Sequence, residues 1–146
     1  MKRHYWILLI LVLGLTSCHF MGPIDVNIER KNVEVNSNNI VGTWKMDKFS
    51  YEYLSEIKTD SIVLTFKPDN LFEMNNSQNL FDREINNGTS SGTWEIIEQY
   101  DTKKIKLNFN DIKTSKNLEI YKLKENYQLW YFLSDPDTGE RIRFLK

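Results

Sequence analysis

The chain has one cysteine and two histidines, and all three lie within its first nineteen residues: His4, Cys18 and His19. Thiol–imidazole catalysis, and the zinc and copper sites built from His and Cys, need such side chains converging from a folded scaffold. Nothing after His19 can supply them. A phosphate-cradling loop is not expected either, because Gly88 and Gly92 stand without a following Lys-Ser/Thr pair or a helix-forming stretch. Twenty carboxylates are left, among them Glu95 and Glu98 beside Trp94. A facing pair of acids can hydrolyse a glycosidic bond, but acids scattered along strands are in the main solvated. The expectation is a protein that is not an enzyme and carries no cofactor or metal.

Cys18 has a context of its own. Residues 1–17 begin basic (Lys2, Arg3, His4), continue through an apolar run from Ile7 to Leu13, and end in mostly small or polar residues. That is the layout of an export signal. The run is about half the ~20 apolar residues that a membrane-spanning helix needs. Leu15-Thr16-Ser17-Cys18 resembles the lipobox of bacterial lipoproteins: an aliphatic residue, two small residues, then cysteine. The resemblance implies a cut between Ser17 and Cys18 and acylation of Cys18 by a fatty acid such as palmitate. A lone thiol exported to an oxidising compartment would otherwise stay unpaired. His19 after the cysteine, rather than Asp, resembles the outer-membrane default of enterobacterial sorting. The expected organisation is therefore a signal peptide over 1–17, a lipidated cysteine and flexible tether over 18–39, and a folded domain over 40–146. The whole would sit in the cell envelope, on the periplasmic or surface face of the outer membrane. Cleavage removes Lys2 and Arg3, leaving 17 basic against 20 acidic residues. There is no basic excess to hold nucleic acid.

The tether, His19 to Asn39, mixes Pro23 and several charges with the polar run Asn36-Ser37-Asn38-Asn39, although Ile24, Val26 and Ile28 alternate as a short edge strand would. Beyond it the chain has no alanine and is rich in Asn, Tyr, Phe, Ile and Thr, a composition that suits strands joined by polar turns. Val41 to Leu54 reads as a long first strand. Trp44 and Met46 share one face while Phe49, Tyr51 and Tyr53 have the opposite phase, so a bend is expected near Asp47-Lys48. Ile62, Leu64 and Phe66 mark the second strand, Lys67-Pro68-Asp69-Asn70 a tight turn, and Leu71 to Asn75 the third, with Phe72 and Met74 inward. Leu80, Phe81 and Ile85 hint at another short strand, and Ser90-Ser91-Gly92 reads as loop. Trp94, Ile96 and Tyr100 would share a side of the next strand, and Ile105, Leu107 and Phe109 the inner side of the one after. Leu118 to Lys124 and Tyr127 to Ser134 form a pair hinged at Glu125-Asn126. Asp135 to Gly139 is a hairpin turn, and Ile142 and Phe144 line the last strand. Consecutive hairpins predict an all-β fold: a small up-and-down antiparallel β-barrel of about eight strands, closing to avoid exposed edges. The same spacing also permits an open two-sheet sandwich.

Val41-Gly42-Thr43-Trp44-Lys45, ahead of that meander, resembles the start of the lipocalin-like domains of Bacteroidota-type bacterial lipoproteins. The resemblance implies a calycin-type barrel whose motif residues Gly42 and Trp44 close one end, with a late arginine, Arg141 or Arg143, near the tryptophan. Phe66, Phe72, Trp94, Phe109 and Phe144 fall on inward phases. They would line a cavity for a small apolar or amphipathic ligand, or simply fill the barrel. A second expectation uses the barrel as a scaffold for an assembly or inhibitor module. Tyr127 to Leu133 is apolar on both faces, and Tyr121, Tyr131 or Tyr51 could mark a surface for an envelope protein partner.

Overall fold

In a computed structural model, residues 27–51, 62–76, 80–81, 88–110, 113–136 and 139–146 are described. They form nine strands: β1 (Ile28–Glu29), β2 (Gly42–Met46), β3 (Val63–Phe66), β4 (Leu71–Asn75), β5 (Thr89–Gln99), β6 (Thr102–Phe109), β7 (Ser115–Leu123), β8 (Asn126–Phe132) and β9 (Arg141–Leu145). Two single helical turns, α1 (Ser37–Ile40) and α2 (Lys48–Tyr51), flank β2. From β2 to β9 each strand pairs antiparallel with the next, and β9 returns to pair with β2. The eight strands therefore close into an all-β barrel, and the open sandwich is ruled out.

Period-2 alternation is what turns this sequence into a barrel wall. Trp44, Leu64, Phe66, Phe72, Met74, Ile105, Leu107, Leu118, Ile120, Leu129, Ile142 and Phe144 are all nearly or fully buried. Their strand neighbours Thr43, Glu73, Thr93, Glu95 and Asn117 are exposed. Turn chemistry also follows the sequence: Asn70 (φ 61°) and Gly139 (φ 76°) take the left-handed conformation in their turns.

Four readings are corrected. First, β2 stops at Met46 and the chain enters α2 instead of continuing as a bent strand. The Asp47 side chain accepts hydrogen bonds from the backbone N–H (2.9 Å) and hydroxyl (2.5 Å) of Ser50, capping a helical turn where a bend within the strand was expected. Residues 52–61, including Tyr53, lie outside the described residues. Second, Ser90-Ser91-Gly92 is strand, paired with Met74, Glu73 and Phe72 of β4. Third, Tyr100 does not face the core. Tyr100 and Asp101 both have positive φ (54° and 57°), so they are the two central residues of the β5–β6 hairpin, and Tyr100 is 86% exposed. Fourth, Leu80 and Phe81 lie in a turn; Ile85 is outside the described residues.

The stretch read as tether is in contact with the barrel from Ile28 onward. The first half of β7 pairs with β6, and the second half pairs on that same edge with β1, Ile28 opposite Leu123. Lys31 then bridges to Thr102, and the Asn32 N–H bonds Asp101 O (3.3 Å). Residues 28–32 thus fill the gap where β6 and β7 diverge, and Val33 just beyond is 1% exposed within the core.

Candidate functional site

The two ends of the barrel are built differently. At the end where β2 begins, Trp44 is fully buried and its Nε1–H donates to Ile40 O at 2.7 Å. Ile40 is also fully buried and belongs to α1, where Asn36 and Asn39 exchange reciprocal side-chain to backbone bonds. Lys146 lies over this plug. Its Nζ stands 5.8 Å from the Trp44 ring centroid and donates to Val41 O (2.6 Å) and Asn39 O (3.1 Å). Gly42 makes room for it: φ is +131°, and a Cβ there would sit 2.8 Å from Lys146 Cε. The cation beside Trp44 is therefore Lys146 and not the expected arginine. Arg143 instead donates from Nε to Asp47 Oδ2 at 2.6 Å, and the Arg141 guanidinium lies 4.2 Å from the Trp130 ring centroid. A groove of about 560 Å³ opens at this end, with Asn38, Trp44, Tyr127, Gln128, Leu145 and Lys146 among its lining residues.

Deeper in the barrel the five candidate lining residues pack on one another. Phe66 meets Trp94 edge to face at 5.2 Å, and Phe72 meets Phe109 at 5.1 Å. Phe66, Phe72, Trp94 and Phe144 are each no more than 2% exposed. Trp94 Nε1–H is satisfied by Lys67 O at 3.2 Å. These four rings all belong to the hydrophobic core cluster.

Phe109 is different because it ends β6 at the opposite, upper end of the barrel. There the Phe81 ring packs edge to face on both Phe109 (5.4 Å) and Tyr131 (4.9 Å). Tyr131 was read as outward; the register turns it inward opposite Ile142, and it packs half-buried against the core. Burial pushes its phenol pKa up, so the hydroxyl stays protonated at neutral pH. A Phe–Phe–Tyr cluster at this end was not anticipated, because the residues that build it come from three segments far apart in sequence.

The outer wall over β7, β8 and β9 carries a second, self-covering layer. Tyr121 stacks on Trp130 (4.0 Å, 23°), Arg141 lies over the same indole, and Trp130 Nε1–H donates to Gln128 Oε1 at 2.9 Å. Glu119 receives the Tyr121 hydroxyl (3.0 Å) and ion pairs from Arg30 (3.2 Å) and Lys104 (3.3 Å). Burial first, and the Glu119 charge second, push the Tyr121 phenol pKa far up. The chain's own side chains thus cover the outer side of Tyr127 to Leu133, which had motivated a partner-binding face. The Tyr51 side chain is outside the described residues. Glu95 is exposed and paired with Lys106 at 3.4 Å, and Glu98 is exposed opposite Lys103, so neither is part of a facing acid pair. Among the described residues no group of three or more His, Cys, Asp or Glu could hold a metal ion.

Comparison with known proteins adds one finding. No curated protein and no solved structure matches the chain. The family model for the lipocalin-like domain matches residues 40–127, from the last residue of α1 into the start of β8. That span is more than half of the chain and opens on the Gly42/Trp44 end of the closed eight-stranded barrel. The chain belongs to the lipocalin-like domain family.

Proposed function

We propose that this protein is an envelope lipoprotein, anchored through an acylated Cys18, whose barrel takes a small hydrophobic or amphipathic ligand at the end away from Trp44. The observation that carries the ligand reading is the asymmetry of the ends. One is stoppered by Trp44, Ile40 and Lys146, while the other ends, among the described residues, on the packed rings of Phe81, Phe109 and Tyr131. Of the five candidate lining residues, Phe109 would touch the ligand; Phe66, Phe72, Trp94 and Phe144 form the floor beneath it. Specificity would come from the apolar rings, which suit an alkyl or ring system that leaves a polar group facing solvent.

Native mass spectrometry of the purified protein, after incubation with a lipid extract, tests this reading. A retained small molecule whose binding is weakened by Phe109→Ser supports it. A barrel that stays empty against every extract fraction ends it. The anchor has its own test. Metabolic labelling with a fatty-acid analogue should label the wild type and leave Cys18→Ala as an unlabelled precursor; label persisting in that variant refutes acylation at Cys18.

A further inference from the structure

The chain leading to Cys18 and the most exposed aromatic of the barrel lie at one end. Ile28 pairs with Leu123, the last residue of β7, so the chain toward Cys18 leaves the barrel beside the β7–β8 hairpin. This is the end that Trp44 closes, since Trp44, Leu123 and Asn126 all line the groove that opens there. From Ile28 the chain runs on to the β5–β6 hairpin, where the Asn32 N–H bonds Asp101 O. That hairpin projects past its neighbour. β4 begins at Leu71 opposite Thr93, whereas β5 continues to Gln99 before it turns. Tyr100 stands at the tip, 86% exposed. Asn or Gly takes its positive φ at less cost, so neither packing nor turn geometry accounts for a tyrosine there.

Among the described residues four large apolar or aromatic side chains are exposed: Leu71, Tyr100, Leu133 and Leu145. Three of them belong to this end. Leu71 opens β4 directly after the turn that follows β3, and Leu145 lines the groove beside Trp44. Leu133, the fourth, follows β8 at the far end. Because β4, the β5–β6 hairpin and β9 stand at different points around the barrel, the three mark a rim, which a broad flat partner can touch all at once. Exposed charges at this end have both signs, Asp69, Asp101 and Glu125 against Lys31, Lys124 and Lys146. No single sign dominates, so a strongly charged partner has little to hold. A tyrosine, with its apolar ring and polar hydroxyl, favours the boundary between a bilayer and water. Fully extended, the ten residues from Cys18 to Asn27 reach at most ~35 Å, so a lipid on Cys18 keeps this end close to the bilayer.

We infer that the Trp44 end of the barrel faces the bilayer that carries the Cys18 lipid, with the Tyr100 hairpin tip set in the head-group region and Leu71 and Leu145 against the surface. The Phe81 end then points away from that membrane. This rests on acylation of Cys18. The test uses the full lipidated chain in phosphatidylcholine vesicles, with an environment-sensitive fluorophore on Tyr100→Cys or, at the far end, on Leu133→Cys. Lipid bearing a nitroxide on its head group should remove most of the emission at Tyr100→Cys and little at Leu133→Cys. Equal quenching at the two sites, or stronger quenching at Leu133→Cys, overturns the orientation. Quenching that appears only once an anionic lipid is added overturns the apolar rim as the contact. No quenching at either site, in protein that floats with the vesicles, overturns the contact and leaves the anchor standing. Protein that does not float with them takes anchor and orientation down together. In a second measurement Tyr100→Asp should weaken the quenching of a label on Leu71→Cys; unchanged quenching would show that the tether alone sets the rim down and that Tyr100 has no part in it.

Discussion

Gly92 decides how closely β5 can lie on β6. A Cβ at this position would be 1.9 Å from Asn108 O and 2.9 Å from Phe72 Cε1, and the first of these neighbours is backbone that cannot step aside. Gly92→Ala should cost about 3 kcal/mol, the upper part of the usual overpacking range, read as a shift in the urea midpoint at constant slope. A loss under about 0.5 kcal/mol, typical of a surface site, would mean that the strands separate freely there. The same physics explains why this stretch looked like loop. Ser-Ser-Gly is turn vocabulary, but here small side chains leave space for Phe72 and Phe109. Trp44 was legible because a tryptophan shortly after a glycine reads as an anchor; Lys146 over its ring was not, because the contact joins the two ends of the barrel sequence. Trp44→Ala should cost ~3–5 kcal/mol, and Lys146→Met, which removes a cation from the ring and two bonds to carbonyls, about 1 kcal/mol. A smaller effect at Trp44 than at Lys146 would show that Trp44 is not the plug.

Between elements, the weakest join in the ladder is the one that closes it. β5 and β6 share eight paired positions, whereas β9 meets β2 at only two, Lys45 with Leu145 and Met46 with Phe144. Side chains reinforce this seam. Arg143 binds the Asp47 carboxylate through both Nε and Nη2, its backbone N–H donates to Ser50 Oγ (2.7 Å), and the Asp47 N–H donates to Arg143 O (3.0 Å). The turn α2, which replaced an expected strand, is what carries Ser50 to this position. The sequence did show that something must happen at Asp47-Lys48, since the apolar phase changes there. Whether a bulge or a helical turn results depends on Asp47 finding Ser50 and Arg143, and the latter is 96 residues away. Both partners of the ion pair are largely buried, with side chains 12% and 8% exposed, so Asp47→Ala should cost ~3–5 kcal/mol by removing the carboxylate from a largely buried guanidinium. Lys67→Ala, which breaks an exposed pair with Glu73, should cost under about 1 kcal/mol. Amide exchange in Asp47→Ala should accelerate first in β9 and β2; uniform acceleration around the barrel would show that the seam is not held locally.

At the scale of the molecule, the barrel wall is two layers thick over β7, β8 and β9 and one layer thick elsewhere among the described residues. Alternation in the sequence revealed the inner layer strand by strand. It could not reveal the outer one, because nothing in the sequence brings Tyr121, read as outward, to Trp130 and Arg141 until the register stacks them. The family match takes in Tyr121 on β7 but ends at residue 127, before Trp130 and Arg141. The outer layer gives the fold an alkaline limit. The Tyr121 phenol is buried beside the Glu119 carboxylate, and both raise its pKa above the unfolded value of about 10. Below pH ~10 both states keep the proton and the folded state loses nothing. As the pH rises further, the unfolded chain releases that proton while the folded chain retains it, so stability falls toward the raised folded value, by at most about 1.4 kcal/mol per pH unit for this one group. Tyr131, raised in the same direction by burial, adds to the fall. Tyr121→Phe should be about 1 kcal/mol less stable than wild type at pH 7, where the bond to Glu119 is lost. That deficit should shrink or reverse by pH 11, where the variant has one fewer phenol to keep protonated. Urea unfolding at both pH values measures it. A deficit that stays constant would mean that Tyr121 titrates like a solvent-exposed phenol and that the stack on Trp130 opens to water.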